Sequence, residues 1–367
     1  LVEFPAGERL LLYKDYMAEE NARLQKVHDE GGGGCEVAAL RSAVVDGLLR
    51  SLFQTAILRP PVPGHVTLVA NGGYGRSLLN PGSDIDLLFL LPRASHTIDK
   101  RLKKLIEDVL YPLFDLGFKV GHASRSIPEC ISEAKRDPIT RTSLFDHRQL
   151  CGDTVLYEKF ARRFRQDCIL RDQVRFFEER RSDIEERYLR FSSTVFLQEP
   201  NLKESPGGMR DFHNLLWISD ALFGTRDLEE LRARGTLTAN ACNELCEGFD
   251  FLHRVRNCLH YHTGKATDIL TLRFQGVVTE AFHYRHKTKL RRIEALMRDY
   301  YLHTRDIHQH TASVFEIAEI ETPVLRPFRL SSWMPFSRKA GIKKFDGFVA
   351  EEGRLSAEHD GIFDDDS

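Results

Sequence analysis

Residues 71–87 constrain this chain more than any other stretch. They read Asn71-Gly72-Gly73-Tyr74-Gly75-Arg76-Ser77-Leu78-Leu79-Asn80-Pro81-Gly82-Ser83-Asp84-Ile85-Asp86-Leu87. Alternation from His65 to Ala70 predicts a strand that runs into Gly72-Gly73, where missing side chains let backbone N–H groups approach a phosphate. Asn80-Pro81-Gly82 is a turn signal that reverses the chain. The apolar run from Asp86 to Leu91 then predicts a strand buried on both faces. Side chains alternate along a strand, so Asp84 and Asp86 project from one face and Ile85 and Leu87 from the other.

Two carboxylates side by side repel unless a cation lies between them. Hard oxygen ligands suit Mg²⁺, with Mn²⁺ as a substitute, and Mg²⁺ also takes phosphate oxygens from its substrate. Two such ions, roughly 3.5–4 Å apart, can activate an attacking oxygen and stabilise a leaving pyrophosphate. A bare Asp-x-Asp would more simply face water. Here Gly-Gly, a turn, Ser83, the Asp pair and a buried strand follow in the order a metal site requires.

Around this segment the pattern alternates helix and strand. Val37, Leu40, Val44, Leu48 and Leu52 form a helical stripe, as do Leu102, Leu105, Ile106, Val109 and Leu110, the latter breaking near Pro112. Residues 118–123 and 143–150 are expected strands. Gly31 to Gly34 follow no strand and lack a Lys-Ser/Thr pair, so they are read as a flexible turn after a polar helix. From about 160 to 320 the pattern is helical, with stripes such as Leu245, Phe249, Leu252, Val255 and Leu259. The expected fold class is α+β: a small mixed sheet with helices over 1–165, then an all-α domain over 166–325 and a tail over 326–367. His359-Asp360 and the final Asp364-Asp365-Asp366 belong to that tail and are read as solvated acidic chain.

The 367 residues allow about two domains. A formal net charge of −2 gives no global argument for nucleic acid, and no apolar stretch approaches the roughly 18 residues that span a bilayer. The expectation is no nucleic acid and no membrane. Seven irregularly spaced cysteines point to reduced thiols, hence a cytoplasmic protein. Cys242 and Cys246 lack a zinc-ribbon spacing and are read as buried thiols.

The Gly-Gly and Asp-x-Asp pattern resembles the signature of the DNA polymerase β nucleotidyltransferase superfamily. The fuller string, from Gly72-Gly73-Tyr74-Gly75-Arg76 to Ser83-Asp84-Ile85-Asp86-Leu87, resembles the uridylyltransferases that modify the nitrogen-regulatory PII protein. Three further stretches are similar to that family: Tyr111-Pro112-Leu113 through Gly121-His122; Glu199-Pro200-Asn201-Leu202-Lys203-Glu204-Ser205-Pro206-Gly207-Gly208-Met209-Arg210-Asp211; and Arg254-Val255-Arg256-Asn257-Cys258-Leu259-His260-Tyr261 to Gly264. The resemblance implies transfer of UMP from UTP to a tyrosine of a PII-type acceptor. It also implies a third metal-binding and catalytic carboxylate on a neighbouring strand, for which Asp146 is the candidate; otherwise Asp146 is a surface partner of Arg148. Full-length relatives continue into a phosphohydrolase and sensor domains, which this sequence does not include.

Gly72, Gly73, Arg76 and Ser83 are candidate nucleotide contacts. Lys203 and Arg210 flank the Pro-Gly-Gly turn and reach either phosphates or, for Arg210 with Asp211, an internal ion pair. Arg256 and His260 share a helical face, which suits nucleotide contact or interdomain hydrogen bonding equally. Two other functions stay open: transfer of AMP from ATP or transfer to another acceptor, and a nucleotide-binding regulatory module without turnover.

Overall fold

The computed structural model describes residues 4–58, 66–97, 99–321, 343–345, 348–351 and 354–357. His65, Pro323, most of 326–367, His359-Asp360 and the terminal aspartates lie outside the described residues. Residues 1–318 form one compact unit and 319–367 a second. In the second, three short strands, Lys343–Phe345, Phe348–Glu351 and Arg354–Ala357, pair as an antiparallel meander.

The first unit is α+β. Helices α1 (Ala6–Asp29) and α2 (Gly34–Ile57) precede β1 (Thr67–Ala70), the short α3 (Gly72–Gly75) and β2 (Ile85–Leu91). Then come α4 (Lys100–Asp115), β3 (Val120–Ser126), α5 (Ile127–Arg136), α6 (Pro138–Phe145), β4 (Arg148–Gly152) and α7 (Thr154–Phe164). The sheet order is β3-β2-β1-β4; β2 runs antiparallel to β1 and parallel to β3, and β4 runs antiparallel to β1. Every residue of β1 is buried, as is all of β2 except Asp86. The stripe of α2 packs over the sheet through Val44, Leu48 and Leu52, beside Leu105 and Val109 of α4.

Three expectations are corrected. The first residues of the strand expected over 143–150 belong instead to the helix Pro138–Phe145, because Asp137 caps Ile139 and Thr140 and Pro138 is preorganised for the first turn. Only the end of the expected 143–150 strand survives, as the start of β4. Helix α4 continues through Pro112 to Asp115. The Gly31 to Gly34 run is an ordered joint: Glu36 accepts from the Gly33 N–H, and a Cβ on Gly34 would stand 2.2 Å from backbone atoms of Asp250 and Arg254.

The change to helix near residue 165 falls inside this one unit. The helical part comprises α8 (Gln173–Arg190), α9 (Met209–Phe223), α10 (Leu228–Ala233), α11 (Ala239–Thr263), α12 (Leu272–Ala281) and α13 (Lys289–Glu321) up to residue 318. Helix α11 is capped by Thr238, ends at left-handed Gly264 and packs along α2.

Candidate active site at the Asp84–Asp86 strand

Asp84 and Asp86 stand where β2 begins, as alternation requires, with Asp84 exposed and Asp86 half-buried. Asn71 donates its N–H to the Asp86 carbonyl at 3.0 Å, which draws the Gly72–Gly75 turn against the strand. Gly72 has φ +54°, and a Cβ there would lie 3.2 Å from Asp86 Oδ2. Gly121, opposite Asp86 on β3, leaves room for the other oxygen: a Cβ there would lie 2.5 Å from Oδ1. The carboxylate therefore lies between two glycines. Among the described residues, neither Asp84 nor Asp86 accepts a side-chain hydrogen bond or forms an ion pair. Burial, then the charge of Asp84, raises the Asp86 pKa above its ordinary value, while Lys203 and Arg76 oppose the shift.

The cations around Asp86 come from distant parts of the chain. Lys203 sits in a hydrogen-bonded knot over residues 200–211. Asn201 Oδ1 accepts from the Lys203 and Glu204 N–H groups at 2.9 Å, and Arg210 N–H donates to the Lys203 carbonyl at 2.9 Å. Gly207, at φ +72°, is pressed so close to Thr304 that a Cβ would meet its carbonyl oxygen at 1.9 Å. Asp211 closes the knot by accepting from Gly207 N–H and pairing with buried Arg187, not with Arg210. That leaves Arg210 weakly paired with Glu204 at 3.4 Å and lying over the Trp217 ring. Burial and the nearby Arg210 lower the Lys203 pKa. His213, buried beneath, is held neutral by burial and then by Arg76 and Arg210. Such crowding of positive charge beside two unpaired carboxylates is the electrostatic outline of a metal–polyphosphate site.

Arg256 and His260 serve the turn that leads to Asp84. Arg256 donates to Asn80 Oδ1 at 2.7 Å and pairs with Asp268, while Gly82 N–H donates to His260 Nδ1 at 3.0 Å. Fully buried Asn80 donates to Asn257 Oδ1 at 2.7 Å. A Cβ on Gly82 would lie 2.6 Å from backbone atoms of Lys265 and Ala266. The Ser83 N–H donates to the Asn80 carbonyl at 3.0 Å, which completes the turn. Helix α11 thus grips the Asn80-Pro81-Gly82 turn. The sequence marked the turn, but not its anchors Asn80, Asn257 and His253, whose Nδ1 lies 3.1 Å from Asn80 Nδ2.

Asp146, the candidate for a third metal ligand, does not lead into a strand that pairs with β2. It precedes β4, and β1 lies between β4 and β2, so the strands flanking β2 are β1 and β3. Its carboxylate is closed from solvent and accepts from Arg76, from Trp217 Nε1 at 2.9 Å and from Arg226 Nη1 at 2.7 Å. No group of three or more His, Cys, Asp or Glu suited to a metal occurs among the described residues. A cavity of about 440 Å³ opens beside Arg76, Asp146 and Arg226 but includes neither Asp84 nor Asp86. Charge, not cavity depth, marks the candidate site. Among the described residues no helix is long and apolar enough to cross a membrane.

Two family models match these two regions. The nucleotidyltransferase domain matches residues 57–150, and the GlnD PII-uridylyltransferase domain matches residues 175–315. The bifunctional uridylyltransferase/uridylyl-removing enzyme of Caulobacter vibrioides is 34% identical over 345 residues, covering 92% of this chain and 36% of the relative. The enzymes of the same name from Rhodospirillum rubrum and Azospirillum brasilense are 33% and 32% identical, covering 91% and 96% of this chain and 36% and 37% of the relatives. The chain spans little more than a third of the length of these curated relatives. Through residues 57–150 it carries a nucleotidyltransferase domain, and through residues 175–315 a GlnD PII-uridylyltransferase domain.

Proposed function

We propose that this chain is a cytoplasmic uridylyltransferase that moves UMP from UTP to a tyrosine of a PII-type regulatory protein. The observation that carries the chemistry is the pair Asp84 and Asp86, unpaired and flanked by glycines and cations. The names of the matched family and relatives support UTP and PII. The tyrosine oxygen attacks the α-phosphorus in line, its proton is lost, the bond to the bridging oxygen breaks and pyrophosphate leaves. Asp84 and Asp86 would hold Mg²⁺ or Mn²⁺, which supplies Lewis-acid stabilisation of the phosphoryl oxygens and lowers the pKa of the attacking hydroxyl. The two carboxylates with no other partner fit such an ion, whose remaining ligands would come from oxygens of the substrate and water.

Gly72 and Gly73 let the backbone approach the triphosphate. Arg76, Lys203 and Arg210 offset its charge, most usefully as charge builds on the leaving pyrophosphate. Ser83 stands at the end of the turn that Arg256 and His260 brace at Asn80 and Gly82, just before Asp84. The test is incubation with Mg²⁺, labelled UTP or ATP and a PII-type protein, beside Asp86→Asn. Label from UTP, abolished by the substitution, supports the reading. Label from ATP replaces the substrate but keeps the mechanism, and no nucleotide binding sinks it.

A further inference from the structure

We propose that Asp146, Trp217 and Arg226 form a clamp that positions Arg76 for the nucleotide's phosphates, so that Asp146 is a positioning residue and not a metal ligand. The proposal rests on the nucleotidyltransferase reading above. Arg76 closes the Gly72–Gly75 turn, and the next residue, Ser77, has φ +61°, so the chain bends away at once. Behind the turn, Gly75 is packed so tightly that a Cβ would fall 1.8 Å from the Asp146 carbonyl oxygen. Backbone and side chain of residue 146 thus both bear on the same turn.

One oxygen of Asp146 takes the Arg76 guanidinium; the other takes the Trp217 indole and Arg226. Arg226 is fixed in turn by the Phe145 carbonyl at 2.9 Å and by Asp220 at 2.8 Å, and its guanidinium lies 4.4 Å above the Phe145 ring. Trp217 and Asp220 belong to α9, the helix that also carries Arg210, whose guanidinium lies 5.7 Å from the Trp217 ring. The indole therefore joins the support of Arg76 to that of Arg210. Arg76 is buried near the like charges of Arg210 and Arg226, and Asp146 is the partner that offsets them. Without it, repulsion would turn the guanidinium away from Asp86 and towards solvent. A carboxylate with both oxygens engaged by cations and an indole has little capacity left for a metal ion.

The test compares Asp146→Asn, Trp217→Phe and Arg226→Lys with Asp86→Asn, reading the KM for UTP and the Mg²⁺ concentration for half-maximal activity. Trp217→Phe removes one N–H, and Lys at 226 cannot bridge Asp146, Asp220 and the carbonyl together. A clamp gives a KM for UTP raised by about tenfold in each of these two and more in Asp146→Asn, with the Mg²⁺ midpoint unmoved. A metal ligand gives the opposite pattern: Asp146→Asn shifts the Mg²⁺ midpoint as Asp86→Asn does, while the other two keep the wild-type KM. That pattern overturns the proposal. Arg226 is partly exposed and Trp217→Phe is conservative, so these two decide the matter even if Asp146→Asn does not fold. Wild-type turnover with unchanged KM in both sinks the clamp alone; a wild-type chain that binds neither UTP nor ATP sinks the underlying reading and the clamp with it.

Discussion

Asp86 and Asp146 stand at the same end of one sheet, since Ala70 of β1 is opposite both Leu87 and Arg148. Their surroundings are opposite. Asp146 is closed from solvent and paired with two arginines and an indole, whereas Asp86 has a second carboxylate and two glycines beside it. One carboxylate is satisfied by its own chain, and the other is arranged for something the chain does not supply. A satisfied buried charge contributes to holding the fold, and an unsatisfied one is kept at a cost in stability for a ligand.

The comparison can be broken most directly by removing each carboxylate. Asp146→Ala leaves half-buried Arg76 without its partner and Arg226 with only Asp220 as an acidic partner, and should destabilise the protein by about 3 kcal/mol in denaturant unfolding. Asp86→Asn should lower transfer by about 10³-fold or more, roughly 4 kcal/mol of transition-state stabilisation. Its thermal midpoint should stay unchanged or rise, because a desolvated charge repelled by Asp84 has been removed. A fall in stability for Asp86→Asn matching that of Asp146→Ala would erase the distinction.

A smaller change moves the Asp86 carboxylate without deleting it. Gly121 has ordinary backbone angles, so Gly121→Ala should fold normally, but its Cβ would lie 2.5 Å from Asp86 Oδ1 and must push it aside. A displacement of about 1 Å at the reacting centre costs on the order of 10²-fold, so kcat should fall by about that factor with the unfolding midpoint nearly constant. Equal activity would mean that the carboxylate has freedom this packing denies it.

What the sequence disclosed followed the range of each interaction. Asp84 and Asp86 were legible because strand alternation, the Asn80-Pro81-Gly82 turn and the apolar run are all local. The surroundings of Asp146 are not legible in this way, because strand adjacency is long-range: nothing within residues 143–150 says that β4 pairs with β1 and that β3 takes the place beside β2. The same stretch was read as strand although Asp137-Pro138, a few residues earlier, starts a helix. Arg256 and His260 were legible as one helical face, but the Asn80 partner of Arg256 lies 176 residues away. Gly34 looked like slack chain for the same reason, since the helix α11 backbone that requires a glycine there is remote in sequence.

The mildest prediction concerns pH and again follows from the satisfied side of the sheet. His147, next to Asp146, is half-buried with Nδ1 2.9 Å from the Tyr157 hydroxyl. Burial, and then the charge of Arg226, push its pKa down to about 4, partly opposed by Asp146. In the unfolded chain the same imidazole titrates near about 6.5. Between those values the unfolded state binds a proton that the folded state refuses, so stability is full above about pH 6.5 and declines as pH falls towards 4. The slope from this one group is at most about 1.4 kcal/mol per pH unit. Buried His213 and His253, whose pKa values are also lowered, act in the same direction. Replacing His147 with Gln, which keeps a polar group for Tyr157, should flatten the decline between pH 6.5 and 4 by up to that one-group slope without abolishing it. An unchanged slope would mean that His147 takes a proton in the folded state as readily as in the unfolded one. The region around Asp146 would then be more open to water than its closed pairing implies, and its contrast with Asp86 correspondingly weaker.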